Sequence, residues 1–354
     1  MTNYRKLFVF AGLAIAVLLT GCGSVQAAAW PGITVDEENN SIYVSYNQFL
    51  YALQLDDGSE RWRFQPERAN NFAVFAPVQV TDAGELLVGA YNNSLYSLDP
   101  DDAGINWTFS GAANRFVGAP IIAGGNIFAP NSDHILYALD SEGDLQWTFG
   151  ARQPLWSQPA TDGTRVYVPS MDHHLYALDA ASGDLIWGED LGGTMVGSPA
   201  LSEEGTLFIG TLNDEIVALD AVSGSVLWRF ATDGWVWASP ALTNGTVYAA
   251  DLEGTVYALD AARGSEHWRV DTESAITGAP LVLNGNIYVI NEGGEVISLT
   301  ADGRIQWTQT FEVELYGPPV AAGDLILVGV ANSESVLMAL DTNGATVWTF
   351  APEN

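Results

Sequence analysis

Few side chains in this sequence combine the type and spacing that chemistry needs. His134 and His173 each follow an aspartate, Asp133 and Asp172, with His174 beside the second. Two such pairs could hold a metal if the turns carrying them met. Corresponding stretches elsewhere read Asn92-Asn93, Asn213-Asp214 and Glu253-Gly254, so the position asks for a turn former, and no metal site is expected. There is no Ser-His-Asp order, phosphate loop or HExxH string, and carboxylates are too numerous for any pair to stand out, so no catalytic residue is assigned. Arg68, Arg115 and Arg152 fall in consecutive connecting segments and could anchor a partner carboxylate. Pairing with neighbours such as Glu67 is the plainer alternative. The same segments carry Phe72, Phe75, Phe116, Trp156, Met195, Trp235, Trp237, Ile276 and Tyr316, aromatic and flexible apolar groups suited to a binding face or to capping the strands beneath.

The elements that must position these residues are written in a repeat. Trp62, Trp107, Trp147, Trp187, Trp228, Trp268, Trp307 and Trp348 recur at intervals near 40 residues, each closing a phrase such as YALDAASGDLIW from Tyr176 to Trp187. A unit of that length cannot bury its own apolar face and must stack on its neighbours. Within one unit, short β-branched and aromatic runs alternate with Asn-Gly and Gly-containing turns, the pattern of a four-stranded antiparallel meander. A proline marks the innermost strand of each unit at Pro31, Pro77, Pro120, Pro159, Pro199, Pro240, Pro280 and Pro319. An aspartate after the third strand (Asp99, Asp140, Asp179, Asp220, Asp260, Asp341) is expected to bond the following turn. Eight prolines and eight tryptophans predict an all-β fold, a single eight-bladed β-propeller of four-stranded antiparallel blades. Blade 1 is expected to pack on blade 8 without exchanging a strand.

The phrase Ala-x-Asp-x-x-Ser/Thr-Gly-x-x-x-Trp resembles the tryptophan-docking repeat of quinoprotein propellers. It stands intact from Ala177 to Trp187 and from Ala218 to Trp228, and nearly so from Ala258 to Trp268, with Arg263 in the Ser/Thr place. Blade 3 reads one residue short, blade 7 has Thr300 for the aspartate, and blade 1 reads as carrying an extra Gln54-Leu55. The resemblance implies that the eight periodic tryptophans dock blade on blade and do nothing else.

Composition narrows the function classes. The chain has 354 residues, 48% of them hydrophobic and 16% charged, with 36 glycines: the balance of a packed β-rich protein. Net charge is -31, and Lys6 is the only lysine, so nucleic acid is excluded as a partner and anionic lipid headgroups would repel the surface. The acidity suits either a saline habitat or an extracellular protein. Arg5 and Lys6 precede the apolar run from Leu7 to Leu19, the layout of a secretory signal, and Leu19-Thr20-Gly21-Cys22 resembles the lipobox of bacterial lipoproteins. That resemblance implies a signal peptide over 1–21, acylation of Cys22, a tether over 22–29 and the propeller over 30–354. Plain signal cleavage near Ala27 to Ala29, or an uncleaved anchor, are the alternatives. Cys22 is the sole cysteine, so no disulfide can form within one molecule.

Lipobox, short tether and eight quinoprotein-type repeats together resemble the BamB family. The resemblance implies a non-enzymatic, monomeric, protein-binding scaffold in the cell envelope, held by lipid to the outer face of the cytoplasmic membrane or to the outer membrane, with a role in outer-membrane protein assembly. The second reading is a quinoprotein oxidoreductase using pyrroloquinoline quinone and calcium. Its alcohol-oxidising members carry a vicinal disulfide over the cofactor, for which this chain has no cysteine pair, so no cofactor is expected. A third reading is an extracellular glycan-binding propeller with Trp156, Trp235, Trp237 and Tyr316 as stacking platforms.

Overall fold

The computed structural model describes residues 31–67 and 71–353; Cys22, Trp30 and Arg68 lie outside them. Eight antiparallel sheets follow one another along the chain, each built mainly of four strands in sequence order, and among the described residues no strand passes from one end of the chain into the blade at the other. Blade 1 spans Gly32–Phe64, blade 2 Gln79–Phe109, blade 3 Ile121–Gly150, blade 4 Ala160–Asp190, blade 5 Ala200–Ala231, blade 6 Ala241–Asp271, blade 7 Leu281–Thr310 and blade 8 Val320–Phe350. The short strand Glu314–Leu315 adds to blade 8 by pairing with Val330 and Ala331. Among the described residues there is no helix, hence none long and apolar enough to cross a membrane.

The radial order follows from side-chain size. The innermost strands are only two to five residues long, and the prolines stand just before them, not within them, where no ladder N–H is required. Small residues beside those prolines let neighbouring strands crowd the axis. A Cβ on Gly118 would lie 2.7 Å from the Trp156 carbonyl oxygen, and one on Gly197 2.9 Å from Ala238 backbone. The second and third strands are buried on both faces, as in Tyr167 and Leu175 or Phe208 and Ile216. Their side chains form eight apolar clusters, one for each pair of adjacent blades. The cluster holding Ile42, Val44 and Leu53 with Leu327, Leu337 and Phe350 joins blades 1 and 8. The ring therefore closes by packing, helped by Arg63 donating to the Glu353 carbonyl at 2.9 Å and by the Gly323 N–H donating to Glu37 at 2.9 Å.

Seven of the periodic tryptophans donate an indole N–H to a carbonyl in the next blade, as Trp187 does to Ala221 at 3.2 Å and Trp228 to Ala261 at 2.9 Å. In six of these seven the ring packs on the turn glycine of that blade: a Cβ on Gly224, whose φ is 73°, would sit 2.6 Å from Trp187. Blade 2 is the exception, with Ala103 at φ 60° packed in the cluster that holds Trp62. The six aspartates after the third strand accept backbone N–H bonds within their turns, for example Asp179 from Ala181 and Ser182 and Asp341 from Asn343 and Ala345. Blade 1 carries no insertion. Ala52 pairs with Trp62 as Ala177 pairs with Trp187, so Gln54 stands in the aspartate place and Leu55 in that of Ala180.

Candidate functional site

The segments joining the outer strand of one blade to the inner strand of the next lie on one face, together with the turns between second and third strands. Backbone bonds weld the two sets. The N–H of Tyr91 donates to Ala73, Ser132 to Arg115, Met171 to Pro154, Leu212 to Thr194, Leu252 to Trp235 and Glu292 to Ala275, at 2.8 to 3.2 Å. The next residue but one in most of these turns has positive φ, and His134 (75°) and His173 (76°) fill that place as Asn93 and Asp214 do elsewhere. The histidines are thus turn residues. His174 accompanies Asp172, which is taken up by the Tyr176 hydroxyl at 2.8 Å and the Arg152 N–H at 2.9 Å. Burial pushes the Asp172 carboxyl up, but these donors and the His174 N–H outweigh it and hold the group below the ordinary carboxylate range.

Each connecting segment also inserts one apolar side chain between blades. Phe116, Leu155, Met195, Val236, Ile276 and Leu315 are all essentially buried. They stand four residues before the proline of their repeat, a spacing visible in the sequence. This corrects the assignment of Phe116 and Met195 to a binding surface, and Phe72, at 4% exposure, belongs to the blade 1–2 core with Phe64 and Tyr96. Ile276 is likewise a plug. The neighbouring residues on either side of a plug are the half-buried or exposed ones, among them Arg115, Trp156, Trp235, Trp237 and Tyr316.

Two of these, Arg115 and Trp156, meet Phe75 and Tyr91 around blades 2 and 3. The Arg115 guanidinium lies 4.9 Å from the centre of the Tyr91 ring, within cation–π range, and Tyr91 packs edge-on against Phe75 at 4.9 Å. Ser132 joins Arg115 to Trp156: its N–H donates to the Arg115 carbonyl at 3.1 Å and its hydroxyl accepts the Trp156 indole N–H at 3.1 Å. Burial raises the Tyr91 hydroxyl pKa while Arg115 opposes the rise. Tyr91 and Ser132 had no signal in the sequence beyond their place one residue into the turn. Of the nine arginines among the described residues, seven form ion pairs with carboxylates. Arg115 and Arg152 are the two that do not; Arg152 is exposed one segment further on.

Across the ring, blades 7 and 8 frame a cavity of about 530 Å³ lined by Glu292, Phe311, Glu312, Val313, Glu314 and Asn332. Glu292 keeps exposed surface, yet the surrounding loops desolvate its carboxyl and Glu314 adds like charge, so its pKa rises. Tyr316 is raised as well, by burial and then by Glu292 and Glu314.

Residues 46–158, 143–204, 172–278 and 252–354 match the family described as outer membrane protein assembly factor BamB. The chain belongs to this family. Among solved structures, BamB from Moraxella catarrhalis superposes with a TM-score of 0.71 at 17% identity, over 88% of this chain and 93% of that one. The quinohemoprotein alcohol dehydrogenase ADHIIG of Pseudomonas putida HK5 gives 0.71 at 16% identity, over 86% and 69%. The computationally designed protein Ika8 gives 0.73 at 13%, over 91% and 96%. No curated protein matches the chain. At these identities the superpositions establish the eight-bladed fold alone, and a designed protein sharing it shows how little the fold says about activity.

The dehydrogenase likeness raises the question of quinone and calcium. Calcium takes six to eight oxygens. Among the described residues no three His, Cys, Asp or Glu side chains converge on one point. A calcium ion here would have to draw most of its oxygens from carbonyls, amides and water.

Proposed function

We propose that this BamB-family chain is a non-enzymatic scaffold of the cell envelope, lipid-anchored through Cys22, that docks a protein partner on its loop face and serves outer-membrane protein assembly. The observation that carries the reading is the Phe75–Tyr91–Arg115–Trp156 cluster. It sits on segments fixed by backbone bonds to the turns beneath, so little conformational entropy is lost on binding, and it offers the aromatic and arginine groups that dominate interface energetics. A glycan platform would want broad free ring faces, whereas Trp156, Trp235 and Trp237 are half-buried.

A photo-crosslinking residue at position 156, in the full lipidated chain in cells, tests this. The expected result is one major adduct with an envelope protein, lost in Arg115→Glu and retained in Arg304→Glu, a distant exposed arginine. An adduct pattern indifferent to Arg115, or dye reduction by the purified chain with quinone and calcium, would overturn it. Membrane fractionation of Cys22→Ser, with release into the soluble fraction expected, checks the anchor.

A further inference from the structure

The loop face is not uniform around the ring, and its non-uniformity has a direction. The turn residue whose N–H bonds the connecting segment changes character blade by blade: Tyr91 and Ser132 in blades 2 and 3, Met171, Leu212 and Leu252 in blades 4 to 6, and Glu292 in blade 7. Charge follows the same course. The two arginines without carboxylate partners, Arg115 and Arg152, flank blade 3. Four to five blades on, at the far side of the eight-blade ring, the carboxylates of Glu292 and Glu312 have no hydrogen-bond or ion-pair partner among the described residues, and that of Glu314 accepts only from the Asn332 amide.

Some acidic residues elsewhere on the face are taken up by bonds within it, whereas exposed Glu253, Glu273 and Glu334 extend the anionic side over blades 6 to 8. Asp133 accepts from Tyr137 and the Ala113 N–H, Asp172 from Tyr176 and Arg152, Asp251 from Tyr257 and Gly234, and Asp233 pairs with Arg269 at 2.9 Å. Their charge is spent on holding the turns. What is left for an incoming surface is cationic beside blade 3, apolar over blades 4 and 5 at Met171 and Leu212, and anionic from blade 6 to blade 8.

We infer that this face takes a polypeptide partner whose contact surface is split the opposite way, acidic over Arg115 and Arg152 and basic over Glu292, Glu312 and Glu314, with an apolar centre, so that the partner docks in a single rotational setting about the propeller axis. The inference rests on the loop face being the docking face. Charge complementarity fixes orientation and rejects wrong settings, since a half-turn would place like charges together at both edges. A second copy of this chain could satisfy the pattern, but a net charge of -31 on each opposes that pairing.

The probe is a synthetic peptide with an aspartate block, a leucine–valine block and a lysine block, carrying a benzophenone at one end or the other, used at physiological salt to suppress non-specific attraction. From the acidic end, crosslinks are expected in the segments around Arg115 and Arg152; from the basic end, around Glu292 to Glu314. Arg115→Glu with Arg152→Glu should weaken binding about tenfold or more. Adding Glu292→Arg and Glu314→Arg to that pair should restore binding with the crosslink map inverted, an outcome that damage to the fold would not produce. Crosslinks independent of the labelled end, affinity unmoved by charge reversal, or a concentration-dependent dimer abolished by it would each overturn the inference. A cellular adduct at position 156 whose contacts ignore Glu292 and Glu314 would leave the scaffold function standing and remove this orientation alone.

Discussion

Trp348 is the one docking tryptophan that should be better replaced. Its ring lies on Gly58 of blade 1, as six of the others lie on their glycines, but its indole N–H is buried without a partner. Trp228, by contrast, donates to Ala261 at 2.9 Å. Changing either to phenylalanine trims the same part of the ring, so a comparison of the two cancels most of the packing loss. What remains is the hydrogen bond. Trp228→Phe forfeits a net contribution of about 1 kcal/mol, whereas Trp348→Phe removes a desolvated, unpaired donor and recovers about 1–3 kcal/mol. The two variants should therefore differ by about 2–4 kcal/mol in favour of Trp348→Phe. Urea unfolding followed by far-UV circular dichroism reads the difference, provided both variants share the wild-type m-value. Equal destabilisation, or a larger loss at Trp348, would mean that the seam indole is bonded after all and that blades 1 and 8 meet like any other pair.

Other outcomes follow from single contacts. Gly163 and Gly224 both have positive φ, but a Cβ at Gly163 meets nothing within 4 Å while one at Gly224 strikes Trp187 at 2.6 Å; Gly163→Ala should cost about 1–2 kcal/mol and Gly224→Ala a further 1–3, seen as a larger fall in Tm. Asp172→Asn should cost about 1–3 kcal/mol at neutral pH by weakening the bonds from Tyr176 and Arg152. Because the folded pKa of Asp172 is depressed, the stability it supplies is present above about pH 4 and fades as pH falls towards the lower folded value, so the gap between wild type and variant should close in acid. Glu292 has the opposite sign: its raised pKa penalises the folded state once the group is ionised, so Glu292→Gln should raise Tm at pH 7 and lose that advantage below about pH 4.

Much of the fold was legible because one physical device repeats. A tryptophan that packs on a turn residue with positive φ, glycine in seven blades and Ala103 in blade 2, leaves a trace at both positions, and the proline before each inner strand marks the place where a ladder N–H is dispensable. The connecting segments were harder to read. An aromatic residue in a loop suggests exposure, yet Phe72 and Phe116 are buried, because a segment crossing between two blades must fill the end of the apolar gap beneath it. The spacing to the proline carried that information, residue type did not. Tyr91 and Ser132 were missed for a related reason: their role depends on a backbone bond to the segment before them, and any residue but proline supplies that bond.

The arginines separate use from ornament more sharply than the aromatics do. In a chain with 43 carboxylates, an exposed guanidinium that finds none is held apart by its surroundings. Arg63 and Arg269 show the default: each lies over two aromatic rings and also grips a glutamate three residues before it, at 2.6 Å. Arg115 has the ring without the glutamate, since the residues just before it are Ala112, Ala113 and Asn114, and the nearby Asp133 is occupied by Tyr137 and the Ala113 N–H. The same packing that orients Arg115 thus leaves its charge unanswered from within, and a partner's carboxylate can supply the second half of an arrangement that the molecule completes for itself elsewhere.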